Sequence, residues 1–103
     1  MKYFFLKLLP PRADFMQTMT DAERAIMLEH RAYSQNFADK GWAVAYGPVA
    51  AKDGGYGAGF WALPDDVDPK PITDNDPTMK ANAGFKYEIH PMPALIRGRV
   101  IQD

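Results

Sequence analysis

Few residues in this chain can do chemistry near neutral pH. It has two histidines, no cysteine and one serine, Ser34, which lies outside any G-x-S-x-G nucleophile setting. The stretch MLEHRAY places His30 on the apolar side of a predicted amphipathic helix. An imidazole becomes a general base when a carboxylate on its second ring nitrogen fixes the tautomer and stabilises the imidazolium. Alternatively, His30 is a structural residue bonded to a backbone carbonyl at the core edge.

Asp76 and His90 are the other polar residues at marked positions. Asp76 precedes Pro77 in NDPTMKANAG, and an aspartate before a proline is typical of a helix start, so capping alone would explain it. His90 precedes Pro91 at the end of a strand pattern, and we interpret it as structural or solvent-facing. From the residues alone, neither position requires a catalytic role.

Phosphate and metal sites are poorly supported. Gly55, Gly57 and Gly59 alternate within a strand pattern and no lysine follows them, unlike a phosphate-binding loop. The aspartates between 65 and 76 lack the spacing, the glycine and the closing glutamate of a calcium loop. The histidines have no zinc-ligand spacing. We therefore predict no metal and no cofactor, and a strand whose bare glycine face lets a helix or ligand approach closely.

Charge and composition narrow the partners. Twelve basic and thirteen acidic residues give a net charge of -1, so no strong field attracts nucleic acid or anionic lipid. The opening MKYFFLKLL is short, is interrupted by Lys7 and ends at two prolines, which favours a strand over a signal peptide. No stretch approaches membrane-spanning length. The lack of cysteine fits a reducing cytoplasm, which is the predicted location.

The predicted elements follow from apolar periodicity and from glycine and proline positions. Residues 20–40 form the clearest helix, opened by a TDAE capping box at Thr20 and Glu23 and closed by Gly41. The proline-rich and aspartate-rich segment 64–77 excludes a long helix, although Asp76 can start a short one. Strands are predicted over residues 2–9, 42–48, 56–63 and 85–91.

This order predicts an α+β domain of the ferredoxin-like βαββαβ class, spanning residues 1–103. The four-stranded antiparallel sheet carries its helices on one face. Both faces of the first strand are apolar, so the other face needs a cover, and a second copy in a homodimer is the simplest one. Residues 93–103 form a tail that could add an edge strand.

Two longer stretches carry a family resemblance. LEHRAYSQNFADKGWAVAYGPV and NDPTMKANAGFKYEIHPMP join a helix histidine, Gly41, Gly47-Pro48, an Asp-Pro and a final strand with His-Pro. Together they resemble the YCII-like family of the dimeric α/β-barrel superfamily. The resemblance implies a ferredoxin-like subunit that dimerises through its sheet, with an active site formed by His30 and Asp76. Pro64, Pro69 and Pro71 depart from the fuller second helix of that family.

The resemblance also implies a class of activity. Family members are similar to small enzymes, among them a dehydrochlorinase of a chlorinated hydroxyquinol. We expect a cofactor-independent lyase, isomerase or dehydrochlorinase-like enzyme that acts on a small aromatic or carbonyl compound. In it, His30 moves a proton, Asp76 orients His30, Tyr33 bonds the substrate, and Phe60 and Trp61 form an apolar wall. The alternatives are a non-catalytic small-molecule-binding or regulatory dimer and a purely structural module.

Overall fold

The computed structural model describes residues 1–99. They form four strands and four helices in the order β-α-α-β-β-α-α-β. In chain order these are β1 (Lys2–Leu9), α1 (Phe15–Thr18), α2 (Asp21–Asp39), β2 (Ala43–Val49), β3 (Tyr56–Leu63), α3 (Pro69–Asp74), α4 (Pro77–Lys80) and β4 (Lys86–Met92).

The four strands form one antiparallel sheet in the order β2-β3-β1-β4. Strand β1 lies between β3 and β4, with Phe4 opposite Trp61 on one side and Pro91 on the other. The α+β class and the antiparallel sheet are therefore as predicted, and the strand order and helices are compatible with a ferredoxin-like fold.

The two faces of the sheet differ in burial. Phe4, Leu6 and Leu8 of β1 are buried, whereas the alternate residues of β1 are only half-buried. The buried face packs against Phe37 of α2 and, at its other end, Phe15 of α1. The opposite face, called the outer face below, carries Phe5, Phe60 of β3 and His90 of β4. Alternation along the strands thus directs one apolar set to the helices and leaves the other exposed in this chain.

Helix α2 begins at the predicted capping box. The Thr20 hydroxyl accepts a hydrogen bond from the Glu23 amide at 3.1 Å, and the Glu23 carboxylate accepts one from the Thr20 amide at 2.9 Å. Arg12 donates two further bonds to that carboxylate at 2.7 and 2.8 Å. The hydrogen bonds from Arg12, followed by those from Thr20, lower the pKa of Glu23 to about 2. The box therefore also ties the β1–α1 connection to α2.

Two short helices were not anticipated. α1 lies within a loop, and α3 lies in the segment where prolines excluded a long helix. Proline is tolerated in the first helical turn because it needs no hydrogen-bond donor there, and Pro69 occupies that turn after the Asp68 cap. Thus α3 and α4 stand where a longer second helix was expected of the family. Residues 93–99 form no strand, and the rest of the predicted edge strand lies outside the described residues.

Within residues 1–99, no helix is both long enough and apolar enough to cross a membrane. α2, the longest, has 19 residues and carries charged side chains along much of its length.

The packing of Trp61 generates the first prediction. A Cβ at Gly59 would lie 2.7 Å from Trp61 Nε1, closer than packed atoms allow, so the indole occupies space that only glycine leaves. We expect Gly59→Ala to lower the free energy of unfolding by about 1–3 kcal/mol through overpacking, measured by urea denaturation. The near-ultraviolet circular dichroism of the tryptophan should change with it.

Gly47→Ala is the matched control, because a Cβ at Gly47 meets no atom within 4 Å. It should be neutral or stabilise the chain by up to about 1 kcal/mol, since alanine restricts the unfolded state. Equal losses in both variants would show that steric contact with Trp61 is not the cause.

Candidate active site

The structure brings His30 and Asp76 into contact although they are 46 positions apart. His30 Nδ1 lies 2.7 Å from Asp76 Oδ2. His30 lies at the middle of α2, and Asp76 is the N-cap of α4. A helix running over the sheet and a short helix beside it thus supply the two halves of the pair.

Asp76 is 1% exposed and accepts four hydrogen bonds. Oδ1 accepts from the Thr78 amide at 2.9 Å and from the Thr78 hydroxyl at 2.8 Å. Oδ2 accepts from His30 and, at 2.8 Å, from the Tyr87 hydroxyl of β4. One oxygen therefore caps α4 while the other bonds the histidine, so a single carboxylate makes both contacts.

These contacts decide the protonation of Asp76. Burial acts to raise its pKa, but the hydrogen bond and charge of His30 and the bonds from Thr78 and Tyr87 outweigh burial and hold the pKa below its ordinary value. Burial and then the Asp76 charge raise the pKa of Tyr87, so that hydroxyl remains a donor. An ionised carboxylate only accepts hydrogen bonds, so the proton of a neutral His30 lies on Nδ1.

The second ring nitrogen of His30, Nε2, is the one that Asp76 does not contact. Nε2 makes no hydrogen bond within residues 1–99, yet no buried side-chain nitrogen or oxygen there lacks a partner. The His30 side chain is 17% exposed and borders a cavity. In the Nδ1–H tautomer, Nε2 carries a lone pair and keeps accessible surface, on a side chain that lines the cavity.

The cavity lies between α2 and the β2–β3 half of the sheet. Its volume is about 600 Å³, within the range of small-molecule sites. Its lining is mostly apolar and includes Leu6, Leu8, Phe15, Met16, Met19, Met27, Leu28, Tyr46, Pro48, Tyr56, Trp61, Phe85 and Tyr87. An apolar site of this size beside one imidazole nitrogen can hold a small organic molecule while limiting competition from water.

Two polar groups beside His30 also face this space. Ser34 lies one turn after His30, is 4% exposed, and its hydroxyl makes no hydrogen bond within residues 1–99. Trp61 lines the cavity, and its Nε1 likewise has no partner there. Neither atom is a buried unsatisfied group, so each retains accessible surface. Ser34 was considered only as a nucleophile, and its i,i+4 spacing from His30 was the pattern that could have revealed it.

The three residues predicted to bind the substrate do not lie together. Trp61 lines the cavity. The Tyr33 hydroxyl donates to the Ile72 carbonyl at 2.6 Å, and Tyr33 borders a smaller depression instead. Burial, then the charge of Asp76, raises the pKa of Tyr33. Phe60 lies on the outer face, 39% exposed, next to Phe5. The structure therefore does not bring Tyr33 or Phe60 to the cavity.

The glycine face of β3 is occupied by neighbouring side chains. A Cβ at Gly57 would lie 3.2 Å from Leu8, and one at Gly59 would meet Trp61. At Gly57 and Gly59 the expected close approach to the backbone is thus made by residues of the same sheet, whereas at Gly55 it is made by Met16 of helix α1, whose Cε would lie 3.0 Å from a Cβ there. Leu8 and Trp61 then form the cavity floor.

Within the described range, no group of three or more His, Asp or Glu side chains could hold a metal ion. His90 is paired with Glu88, whose Oε1 lies 2.8 Å from His90 Nε2, and this pair is on the outer face.

No model of a known protein family matches this chain, and no curated protein matches it.

The Asp76 network generates the second prediction. Asp76→Asn should lower the free energy of unfolding at neutral pH by about 1–3 kcal/mol, because it replaces one carboxylate oxygen with an NH2 group, which cannot accept the hydrogen bonds donated to that position. The lowered pKa of Asp76 stabilises the wild type above the unfolded-state pKa of about 3.9, and this contribution is lost as the pH falls through the folded-state pKa. Urea denaturation between neutral and acidic pH should therefore show the two proteins converging in acid.

Asp74→Asn is the matched control, since Asp74 forms only an exposed ion pair with Lys70. Its effect should stay within about 0.5 kcal/mol. A constant difference between wild type and Asp76→Asn at every pH would contradict the assigned ionisation.

Proposed function

We propose that this chain is a small cofactor-independent enzyme that uses a His30–Asp76 dyad for general acid-base chemistry on a small aromatic or carbonyl compound. One observation carries the proposal: Nδ1 of His30 is bonded to a buried carboxylate at 2.7 Å, Nε2 has no partner within residues 1–99, and the side chain lines an apolar cavity. A purely structural histidine would need only the hydrogen bond to the carboxylate. Resemblance to the YCII-like family supports the same pair of residues, and we propose membership of that family.

In the proposed reaction, His30 Nε2 takes a proton from a C–H or O–H group of the bound substrate. The imidazolium that forms is stabilised by Asp76, whose position is held by Thr78 and Tyr87. The electron pair left on the substrate either shifts, with the proton returned at another atom, or expels a leaving group such as chloride. These routes correspond to an isomerase and to a lyase or dehydrochlorinase. Positioned proton transfer of this kind contributes roughly 10²- to 10⁴-fold in rate.

Proton exchange tests the chemistry without a known substrate. We expect the wild type, incubated in deuterium oxide with a panel of small ketones, phenols and dicarbonyl compounds, to catalyse deuterium exchange or conversion of at least one of them. His30→Gln should lower that rate roughly 10²-fold or more, because it removes the base. Proton NMR of the panel measures both outcomes.

His90→Gln removes the other histidine, on the outer face, and should leave the rate unchanged. Asp76→Asn should slow the reaction and reduce the Nδ1–H tautomer of His30 seen in heteronuclear NMR. Exchange that persists in His30→Gln would rule out the dyad. Thermal stabilisation by a compound that survives His30→Ala, with no product formed, would instead support a binding or regulatory protein.

We further propose that two copies pair through the outer face and that the protein works in the cytoplasm. Phe5, Phe60 and His90 form a contiguous cluster there, with ring centroids 5.4 Å apart for Phe5–Phe60 and 5.9 Å for Phe5–His90. Pairing would cover aromatic surface that this chain leaves exposed. The absence of cysteine fits a reducing compartment.

Sedimentation tests the dimer. The wild type should sediment as a dimer at micromolar concentration, and Phe60→Lys should shift it to a monomer, because a charge would be buried in the interface. Leu28→Lys, a change at an equally apolar exposed residue on α2, should leave the dimer intact. A monomeric wild type would contradict the proposal, as would a Phe60→Lys protein that remains dimeric.

A further inference from the structure

The charges around the cavity are all of one sign. Arg24 and Arg31, both on α2, line it, and no aspartate or glutamate does. Asp76 does not line the cavity, and its carboxylate accepts hydrogen bonds from His30 and Tyr87, which do line it. An otherwise apolar site therefore presents two permanent positive charges to whatever enters it.

No carboxylate within residues 1–99 pairs with the Arg24 or Arg31 guanidinium. Within residues 1–99, the side chains of Arg24 and Arg31 form no hydrogen bond and no ion pair, and both residues are exposed. Arg12 provides the contrast, since Glu23 binds it through two bonds and Thr18 through two more. Arg12 is thus paired with Glu23, whereas Arg24 and Arg31 at the cavity remain available to bind an anion.

The same stretch of α2 exposes an apolar residue between these charges. Leu28 lies one turn beyond Arg24, is 66% exposed and lines the cavity. Across the opening, Tyr46 of β2 is 37% exposed and also lines it. The mouth therefore combines apolar side chains with two cations, while the interior offers methionine and aromatic surfaces that suit a flat ring.

From these features we infer that the cavity takes an aromatic organic anion, with its ring system inside and a carboxylate or sulfonate held at the mouth by Arg24 and Arg31. This inference deepens the proposed function and rests on it for the identity of the reacting group. The two arginines are separated by seven residues, or about 10 Å along the helix axis, so their long side chains flank the opening. An anion fixed there leaves the ring of the ligand facing His30 and Ser34 further in.

A pair of matched dyes tests the inference directly. Anilinonaphthalene sulfonate is an aromatic anion, and phenylnaphthylamine has the same rings without the sulfonate. We expect fluorescence titration of the wild type to show tighter binding of the anionic dye. Arg24→Gln/Arg31→Gln should weaken the anionic dye about tenfold and leave the neutral dye within about twofold, because only the charge contacts are lost. Added salt should weaken the anionic dye alone in the wild type.

Lys52→Gln/Lys86→Gln removes two positive charges from exposed positions outside the cavity lining and should change neither dye. His30→Gln should keep the anionic preference, so binding is read independently of turnover. Equal affinity of the wild type for both dyes would overturn the inference, as would an anionic preference that survives the arginine variant. Neither result would bear on the acid-base proposal, which the exchange experiment tests. If the wild type shows no exchange activity but still prefers the anionic dye, only the proposed function is rejected.

Discussion

The buried carboxylate of Asp76 is the group on which the arrangement of this site depends. An ionised side chain removed from water costs several kcal/mol unless hydrogen bonds replace its solvation. Four donors supply that replacement, and they come from α2, the first turn of α4, and β4. Thr78 supplies two of these donors, and His30 and Tyr87 supply one each. The hydrogen bonds that stabilise the carboxylate therefore also fix α2, α4 and β4 relative to one another.

This requirement makes the histidine rigid as a consequence of folding. If His30 turned away from Asp76, Oδ2 would keep only the Tyr87 hydroxyl, and the carboxylate would lose the positive or polar partner that most lowers its pKa. The cost of an incompletely satisfied buried carboxylate therefore holds the imidazole ring in place. Within residues 1–99, Nε2 makes no hydrogen bond, so a ligand could approach it without breaking a contact to those residues.

Sequence reasoning reached the elements more completely than the site. The boundaries of the first strand follow from the alternation of its residues, and the capping box of α2 follows from Thr20 and Glu23. Both features depend on residues close in sequence, so the sequence predicts them. The pairing of His30 with Asp76 spans 46 positions, and only a family resemblance suggested it. Tyr87 was missed because, in an alternating strand, a tyrosine that donates to a carboxylate looks the same as one that fills the core. The short helix α3 was missed because its prolines exclude a long helix but are compatible with a short one that begins at a proline.

The cavity survives because the core is divided. One buried cluster, Phe4, Leu6, Ala43, Trp61 and Leu63, lies toward one end of the sheet, and a second, Leu8, Phe15 and Phe85, lies toward the other. Members of both clusters line the cavity, so each end can bury its apolar surface without α2 settling onto the middle of the sheet. His30 and Ser34 occupy the helix positions over that middle, where a leucine would fill the space. A serine and a histidine at these positions bury less apolar surface than leucines would, so an apolar volume remains beside His30 between the helix and the sheet.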